Sequence, residues 1–483
     1  MQGYYYEGTE LLHSRIGQVM AYLGYEHCHA GQAAGEIILR DNNGTSWWLR
    51  CCWHDGDNLW RELVIPLQRN QNEQLKNTLL QWYYEAHHQS FGPWGTLIGV
   101  RPLKKFHKLL DSGKNLVEAA LVLQRDYNVS IEKTAVLAEI AMIQRPLLLM
   151  PQDRGSKWRA VSVYIGIPYC ASHCLYCSFP SRLIGGESSS DLQAFVTALV
   201  EDIQGVGALI ENQKLTVDSI YVGGGTPTCL PIHLLDRLLA EIRRAFGAGH
   251  EFTMEAGRPD TAEPEKLQLL RTAGVTRVSV NPQTMQQSLL DCLGRRHLVS
   301  DIYRMYNQCR ELGFSCINMD FIAGLPRQTV EDMKKNMEIV CQLGPENVTI
   351  HTLTLKKSAP LFHHALRAEL PSENSVAQML QICRKQLAMG TYKPYYLYRQ
   401  KYMTGNFENT GYALAGQASR YNIQMMEERQ TILGIGPGAA TKFVTMPSLA
   451  PEKLYMPKKI DQYIQQVSLY NEKRTQLSED VYK

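Results

Sequence analysis

The sequence has no long hydrophobic run, no surplus of charge of either sign, and no regular spacing that would pair most of its cysteines. An uninterrupted apolar stretch able to cross a bilayer is missing, and the opening MQGYYYEGTELLHSRIG lacks the basic start and apolar middle of an export signal. The chain is therefore expected to be cytoplasmic, with no membrane span. Lysine and arginine number 50 against 47 acidic residues, a formal charge of +3, which argues against a dedicated nucleic-acid partner and leaves room for local basic pockets only. Twelve cysteines scattered through 483 residues do not make the disulfide framework of a small secreted domain. Most of them, such as Cys309 and Cys341, read as small apolar side chains. No internal repeat and no low-complexity tract interrupts the chain.

What is present is length enough for two or three domains. Residues 1–155 mix strand-like runs (Glu36–Arg40, Ser46–Cys51, Leu63–Leu67) with helical ones (Glu73–His87, Asn115–Tyr127, Ile131–Arg145), which predicts an N-terminal α/β domain. The polar, turn-rich stretch from Pro151 to Ser156 reads as a linker. Beyond it, over 156–375, β-branched runs at Val161–Ile167, Ser219–Val222, Phe252–Glu255, Arg277–Val280, Ile317–Ile322 and Val348–Leu353 alternate with amphipathic segments near 191–211, 231–246, 263–273, 299–312 and 329–343. Successive βα units predict a parallel sheet, and right-handed crossovers would curl it into an incomplete (β/α)6 TIM-like barrel. In such barrels the chemistry sits on loops after the strand C-termini. Residues 376–483 read as a C-terminal α+β domain covering the barrel mouth. It holds a helix at Ser375–Met389, a hairpin around Tyr395–Gly405, a glycine-rich stretch near Gly436–Gly438 and a closing helix at Lys458–Leu469.

The first barrel strand runs into Tyr164-Ile-Gly-Ile-Pro-Tyr-Cys170-Ala-Ser-His-Cys174-Leu-Tyr-Cys177-Ser-Phe179. Three thiolates from one short loop suit a 4Fe-4S cluster that keeps its fourth iron open to a small molecule. The alternative is zinc with His173 or a distant cysteine as fourth ligand, but structural zinc uses paired C-x-x-C or Cys/His elements, which this loop lacks.

With its CxxxCxxC triad this segment resembles the radical S-adenosylmethionine superfamily. The YxxIPYC lead-in and the aromatic before the third cysteine narrow the resemblance to the oxygen-independent coproporphyrinogen III oxidase family, closest to its HemZ-type dehydrogenase branch. It covers about 160–445, and Pro93-Trp-Gly-Thr-Leu-Ile-Gly-Val-Arg-Pro102 is similar to that branch as well. The resemblance implies a cluster on Cys170, Cys174 and Cys177. It also implies S-adenosylmethionine on the free iron, one-electron cleavage to a 5'-deoxyadenosyl radical, and an electron donor such as flavodoxin or ferredoxin. It carries roles onto individual positions: Gly224, Gly225 and Thr226 of Gly223-Gly-Gly-Thr-Pro-Thr228 for the methionine amino group, Glu255 as a cofactor ligand, and Gln283, Arg295 and Asp320 for the methionine carboxylate and the ribose. Tyr164 and Tyr176 match positions beside the cluster and adenine, and Tyr164 is the residue assigned to the catalytic centre. An arginine fork suits a carboxylate, and acceptors suit ribose hydroxyls.

The same resemblance implies a reaction. The radical takes hydrogen from the β-carbon of a porphyrinogen propionate, carbon dioxide and one electron leave, and a vinyl group remains, so that coproporphyrinogen III becomes protoporphyrinogen IX. Propionates need cations, for which Arg258, Arg399 and Lys401 are the candidates, with Lys356 and Lys357 reading as solvated charges. The chain departs from family members of proven activity at Phe179, where they often carry a further cysteine. A related haem-carrier branch also ends its triad in CxF but has an HNxxYW motif, where this chain reads Glu408-Asn-Thr-Gly-Tyr-Ala413 without the histidine or the tryptophan. Decarboxylation and haem delivery are thus the two readings, with a radical haem-modifying enzyme a third on the same barrel.

Overall fold

The computed structural model describes residues 2–7, 13, 16–20, 23, 25–29, 35–42, 46–54, 60–68, 76–77, 79–80, 83–84, 92–97, 99, 101–153, 155–400 and 403–482. The chain forms two compact units, Met1–Ala138 with Arg399–Tyr402, and Glu139–Tyr398 with Met403–Lys483. The division falls inside the helix Ile131–Gln144, upstream of the expected 155/156 boundary. The reason is packing: Gln144 Nε2 donates to the Tyr395 carbonyl at 2.9 Å, and Leu148 shares an apolar cluster with Tyr395, Tyr396 and Ile423. The polar stretch after Pro151 thus begins after the chain has already joined its second core.

The first unit carries a sheet in the order β2-β1-β3-β4-β5, from Gln2–Glu7 (β1), Tyr25–His27 (β2), Gly35–Asn42 (β3), Ser46–His54 (β4) and Trp60–Gln68 (β5). β1 runs parallel to β2 and β3, and β3–β4–β5 form an antiparallel meander. Helix Leu116–Tyr127 starts in a reciprocal box between Asn115 and Glu118 and stops where Asn128 turns left-handed, at φ 52°. The expected helix at Glu73–His87 lies largely outside the described residues.

The second unit holds the barrel. Its parallel strands are Ala160–Ile167 (β6), Thr216–Gly224 (β9), Glu251–Gly257 (β10), Arg277–Val280 (β11), Cys316–Ala323 (β12) and Asn347–Thr352 (β13), each paired to the next in chain order. Two short strands, Tyr169–Cys170 (β7) and Arg182–Leu183 (β8), form a separate two-stranded pairing among the described residues. β11 is buried at every residue, as a strand between a filled interior and a helical coat must be. The coat is amphipathic: helix Ile232–Phe246 buries Leu234, Leu235, Leu238, Leu239 and Ile242 along one stripe. Helix Ser189–Asn212 is the one described helix long and apolar enough to cross a membrane by length and composition, although acidic residues interrupt its apolar run. It is a core helix here, with Phe195, Leu199, Ile203 and Val206 buried.

The C-terminal segment joins the same sheet. Lys393–Tyr398 (β14) and Asn409–Ala413 (β15) add antiparallel strands beyond β13, and Thr431–Ile435 (β16) lies parallel to β6, followed by Ala440–Thr445 (β17) and Ala450–Tyr455 (β18). The result is one mixed sheet of 11 strands, a partial barrel extended at both edges. The closing helix, Ile460–Tyr482, is longer than expected and is fixed to helix Ser189–Asn212 by the fully buried Arg474–Asp202 pair at 2.9 Å.

Candidate functional site

The cysteine loop leaves the top of β6 and is closed at its neck by the β7–β8 pairing, with Cys170 opposite Leu183. Inside the loop the Cys177 N–H donates to the Cys174 carbonyl at 3.1 Å, and the Leu175 N–H reaches the Leu293 carbonyl at 3.2 Å. All three cysteines are free thiols of intermediate exposure. Among the described residues no three His, Cys, Asp or Glu side chains are gathered around a single-ion position.

The glycine loop after β9 runs against it. The Gly225 N–H donates to the Ile167 carbonyl and the Thr226 N–H to the Tyr169 carbonyl, both at 2.7 Å. A Cβ on Gly225 would lie 2.3 Å from the Tyr169 carbonyl oxygen and 3.0 Å from Cys170 Sγ, so only glycine lets the two loops touch. Gly224 holds φ 111°, another position that side chains avoid. Thr226 Oγ1 then donates to Cys170 Sγ at 3.7 Å.

A cavity of about 110 Å³ opens between these loops, lined by Cys170, Cys174, Cys177, Tyr176, Gly225 and Thr226 on one side. Glu255, Arg258, Asn281 and Gln283 line it from the ends of later strands, and Arg295 from the turn after the short helix Gln287–Cys292. Glu255 ends inside β10 and accepts a 2.5 Å hydrogen bond from Tyr221 Oη. Gln283 is held left-handed, φ 67°, by its N–H on the Asp320 carbonyl at 2.9 Å and its own carbonyl on the Ile322 N–H at 3.0 Å. Arg295 is buried and donates through Nη1 to Tyr176 Oη at 3.3 Å.

The electrostatics of the cavity are set by burial. Burial pushes the Glu255 carboxyl up to about 7, and the charge of Asp320 adds to it against the pull of Tyr221 and the Gly224 N–H. Burial also raises the Cys177 thiol, with its cysteine neighbours adding to it. Four buried polar atoms on the lining, Ser172 Oγ, Asn281 Oδ1, Gln283 Oε1 and Arg295 Nε, have no hydrogen-bond partner. Buried polar atoms are ordinarily satisfied, so this donor and acceptor set fits a ligand with ammonium, carboxylate and hydroxyl groups. Free thiols in a glycine-walled cavity likewise fit a cluster.

Of the residues singled out in the sequence, Cys170, Cys174, Cys177, Tyr176, Gly225, Thr226, Glu255, Gln283, Arg295 and Arg258 share this lining. Tyr164 is not on it: its ring lies 6.3 Å from Tyr221 and 6.2 Å from Tyr421 in a stacked trio. Asp320 reaches the cavity through Gln283. Its carboxylate accepts from Asn318 Nδ2 at 2.8 Å and stands 3.7 Å from His351 Nε2. Burial would raise Asp320, but His351, Asn318 and Thr349 outweigh it and hold the carboxyl below its ordinary range. Arg258, expected to face a propionate, gives its guanidinium to Asp260. Arg399 belongs to the first unit, where it is buried, donates to the Leu97 carbonyl and lies 5.3 Å over the Trp94 ring. Lys401 lies outside the described residues.

Sequence reasoning missed Tyr221, Asn281 and His351. Position alone could have flagged His351, which like Asp320 sits near the C-terminal end of a barrel strand.

The fold and the cysteine-lined mouth define a class. Residues 164–340 match the family model of the Radical SAM superfamily. The chain is 36% identical over 417 residues, 85% of its length and 82% of the relative's, to the oxygen-independent coproporphyrinogen-III oxidase-like protein HemZ of Bacillus subtilis (strain 168). It is 29% identical over 285 residues, 58% of its length and 70% of the relative's, to the heme chaperone HemW of the same organism. Among solved structures, the coproporphyrinogen III oxidase HemN from Escherichia coli, described as a Radical SAM enzyme, superposes with a TM-score of 0.50 at 23% identity over 65% of this chain and 70% of that one. This chain belongs to the oxygen-independent coproporphyrinogen-III oxidase-like family of the radical SAM superfamily, and that family implies a 4Fe-4S cluster and S-adenosylmethionine.

Proposed function

We propose that this chain oxidatively decarboxylates propionates of coproporphyrinogen III to vinyl groups without oxygen. The observation that carries the proposal is the single cavity on which three free cysteines, the Gly225–Thr226 turn, Glu255, Gln283 and Arg295 meet, in a chain similar over most of its length to a coproporphyrinogen-III oxidase-like protein.

Cys170, Cys174 and Cys177 would hold the cluster and leave one iron for S-adenosylmethionine. When bound, the pair supplies one-electron cleavage of a sulfur–carbon bond. The rest is work for this chain's own groups. Gly225 and Thr226 present main-chain groups and a hydroxyl to an ammonium, with Gly224 holding the turn. Arg295 turns its unpartnered Nε to a carboxylate, and Gln283 Oε1 accepts from a hydroxyl or amine. Glu255, with its carboxyl near 7, accepts when ionised and donates when protonated. Tyr176 orients Arg295, and Tyr221, stacked with Tyr164 and Tyr421, holds Glu255 by its hydroxyl. For Arg399 to anchor a propionate its guanidinium would have to leave Leu97 and Trp94. The electron would come from a flavodoxin- or ferredoxin-like donor.

The second reading, haem delivery, is favoured by the 29% identity to a heme chaperone. Against it, the stretch Asn409–Ala413 is a strand buried at every residue. An anaerobic assay of reconstituted protein with coproporphyrinogen III, read by porphyrin mass beside a haem titration, separates them. Loss of carboxylate mass without tight haem binding supports the enzyme; unchanged porphyrinogen with stoichiometric haem supports the carrier.

A further inference from the structure

The turn after β10 carries a buried arginine whose role neither the cysteines nor the cofactor ring explains. Arg258 is only 5% exposed at its side chain. It forks onto Asp260, with Nε 2.9 Å from Oδ1 and Nη2 2.6 Å from Oδ2. Its remaining nitrogen, Nη1, points the other way, 3.2 Å from the Ser172 carbonyl and 4.0 Å from Cys174 Sγ. Behind Asp260 stands His297, buried, with Nδ1 3.8 Å from Oδ1 and neither ring nitrogen hydrogen-bonded. The turn is pinned where it must be: Thr261 donates through both its N–H and its Oγ1 to the Arg258 carbonyl at 3.1 Å.

A buried guanidinium is kept only with a partner, and here Asp260, itself exposed, completes the pair. The pair is oriented. Its positive end lies against the central cysteine of the triad and its negative end faces away. The potential of an iron–sulfur cluster depends on nearby charge, on hydrogen bonds to its sulfurs and on exposure. A fixed cation beside a thiolate ligand favours the reduced state, which carries one more negative charge, and the attraction is strong where water is excluded.

We propose that the Arg258–Asp260 pair sets the reduction potential of the cluster at Cys170, Cys174 and Cys177, the guanidinium raising it and the carboxylate behind moderating it. The inference rests on the cluster reading given above. It makes Arg258 a positioning and electrostatic residue for the cluster and removes it from the propionate anchors. The turn that delivers Glu255 to the cofactor thereby also tunes the group that supplies the electron.

The test uses the full chain, reconstituted anaerobically, with iron and sulfide determined per chain. An electron-paramagnetic-resonance potentiometric titration follows, with dithionite as reductant and viologen mediators, without S-adenosylmethionine. Arg258→Met is expected to move the midpoint to more negative potential and Asp260→Asn to more positive potential, with Arg258→Lys between wild type and Arg258→Met. A merely structural pair would move both in one direction or neither, and either result overturns the proposal. So does an unchanged potential in Arg258→Met with a raised substrate KM, which would return Arg258 to propionate binding. If Arg258→Met takes up no cluster, Asp260→Asn decides: a more positive midpoint upholds the proposal and an unchanged or more negative one overturns it. A wild type that holds no cluster defeats the cluster reading itself; a wild type that holds one while the variants fail to split defeats only this inference.

Discussion

Tyr221 donates its hydroxyl proton to Glu255 at 2.5 Å while its ring stacks on Tyr421 at 4.4 Å and 21°. One side chain therefore ties the cofactor cavity to the packed interior of the barrel. Glu255 cannot turn away from the cavity without breaking that bond, and Gly223 leaves it room, since a Cβ there would come within 2.8 Å of its carboxyl carbon.

The raised Glu255 carboxyl has a measurable consequence. Its folded value, about 7, lies above its ordinary 4.5, so between those pH values the folded chain holds a proton that the unfolded chain has lost. Stability from this group is greatest at low pH and falls as pH rises through that window. Glu255→Gln should therefore raise the melting midpoint of the cluster-free protein at pH 8 by roughly 2–4 °C, with the gain vanishing towards pH 5. Melting curves across that range check it; a loss of stability at pH 8 would show a carboxylate that is ionised without cost.

Gly225→Ala puts a Cβ against the Tyr169 carbonyl and Cys170 Sγ, a backbone oxygen and a loop sulfur that cannot yield cheaply. Iron and sulfide per chain after reconstitution should fall well below wild type. Gly185→Ala, where nothing lies within 4 Å, should leave them unchanged.

Arg295→Ala should keep the cluster and weaken S-adenosylmethionine binding by about 1.5–3 kcal/mol, the worth of a charged hydrogen bond, or roughly ten- to a hundredfold. Arg296→Ala, at an exposed neighbour, should bind as wild type. Calorimetry on the reconstituted proteins distinguishes them, and equal affinities would make Arg295 a structural charge.

The barrel was legible because its signals are local. β-branched runs and amphipathic stripes placed the parallel strands and the helices between them to within a few residues, and the spacing Cys170, Cys174, Cys177 stood out against nine scattered cysteines. What was not legible depends on distant pairing. β16, with its glycine, carries no alternation, and it pairs with β6 from far along the chain. Arg258 was named as an anchor because propionates need cations; its two partners outside the turn, Ser172 and Cys174, are brought to it only by folding. Tyr164 was assigned to the cofactor through the family resemblance; its stacking on Tyr221 and Tyr421, the first of them its register partner on β9, is set by strand pairing that the sequence does not display.

Cys174→Ala should abolish both the brown colour and the reduced-cluster paramagnetic signal, since two remaining thiolates do not hold a cubane. A variant that still assembles a full cluster with S-adenosylmethionine-dependent spectra would remove Cys174 from the ligand set.

The most direct test of the account is isotopic. Reconstituted protein is given a reductant, S-adenosylmethionine and coproporphyrinogen III deuterated at the propionate β-carbons, under strict exclusion of oxygen. The account predicts 5'-deoxyadenosine carrying deuterium, released in step with carbon dioxide and vinyl product. Unlabelled 5'-deoxyadenosine, with the porphyrinogen recovered intact and haem bound tightly, would contradict it.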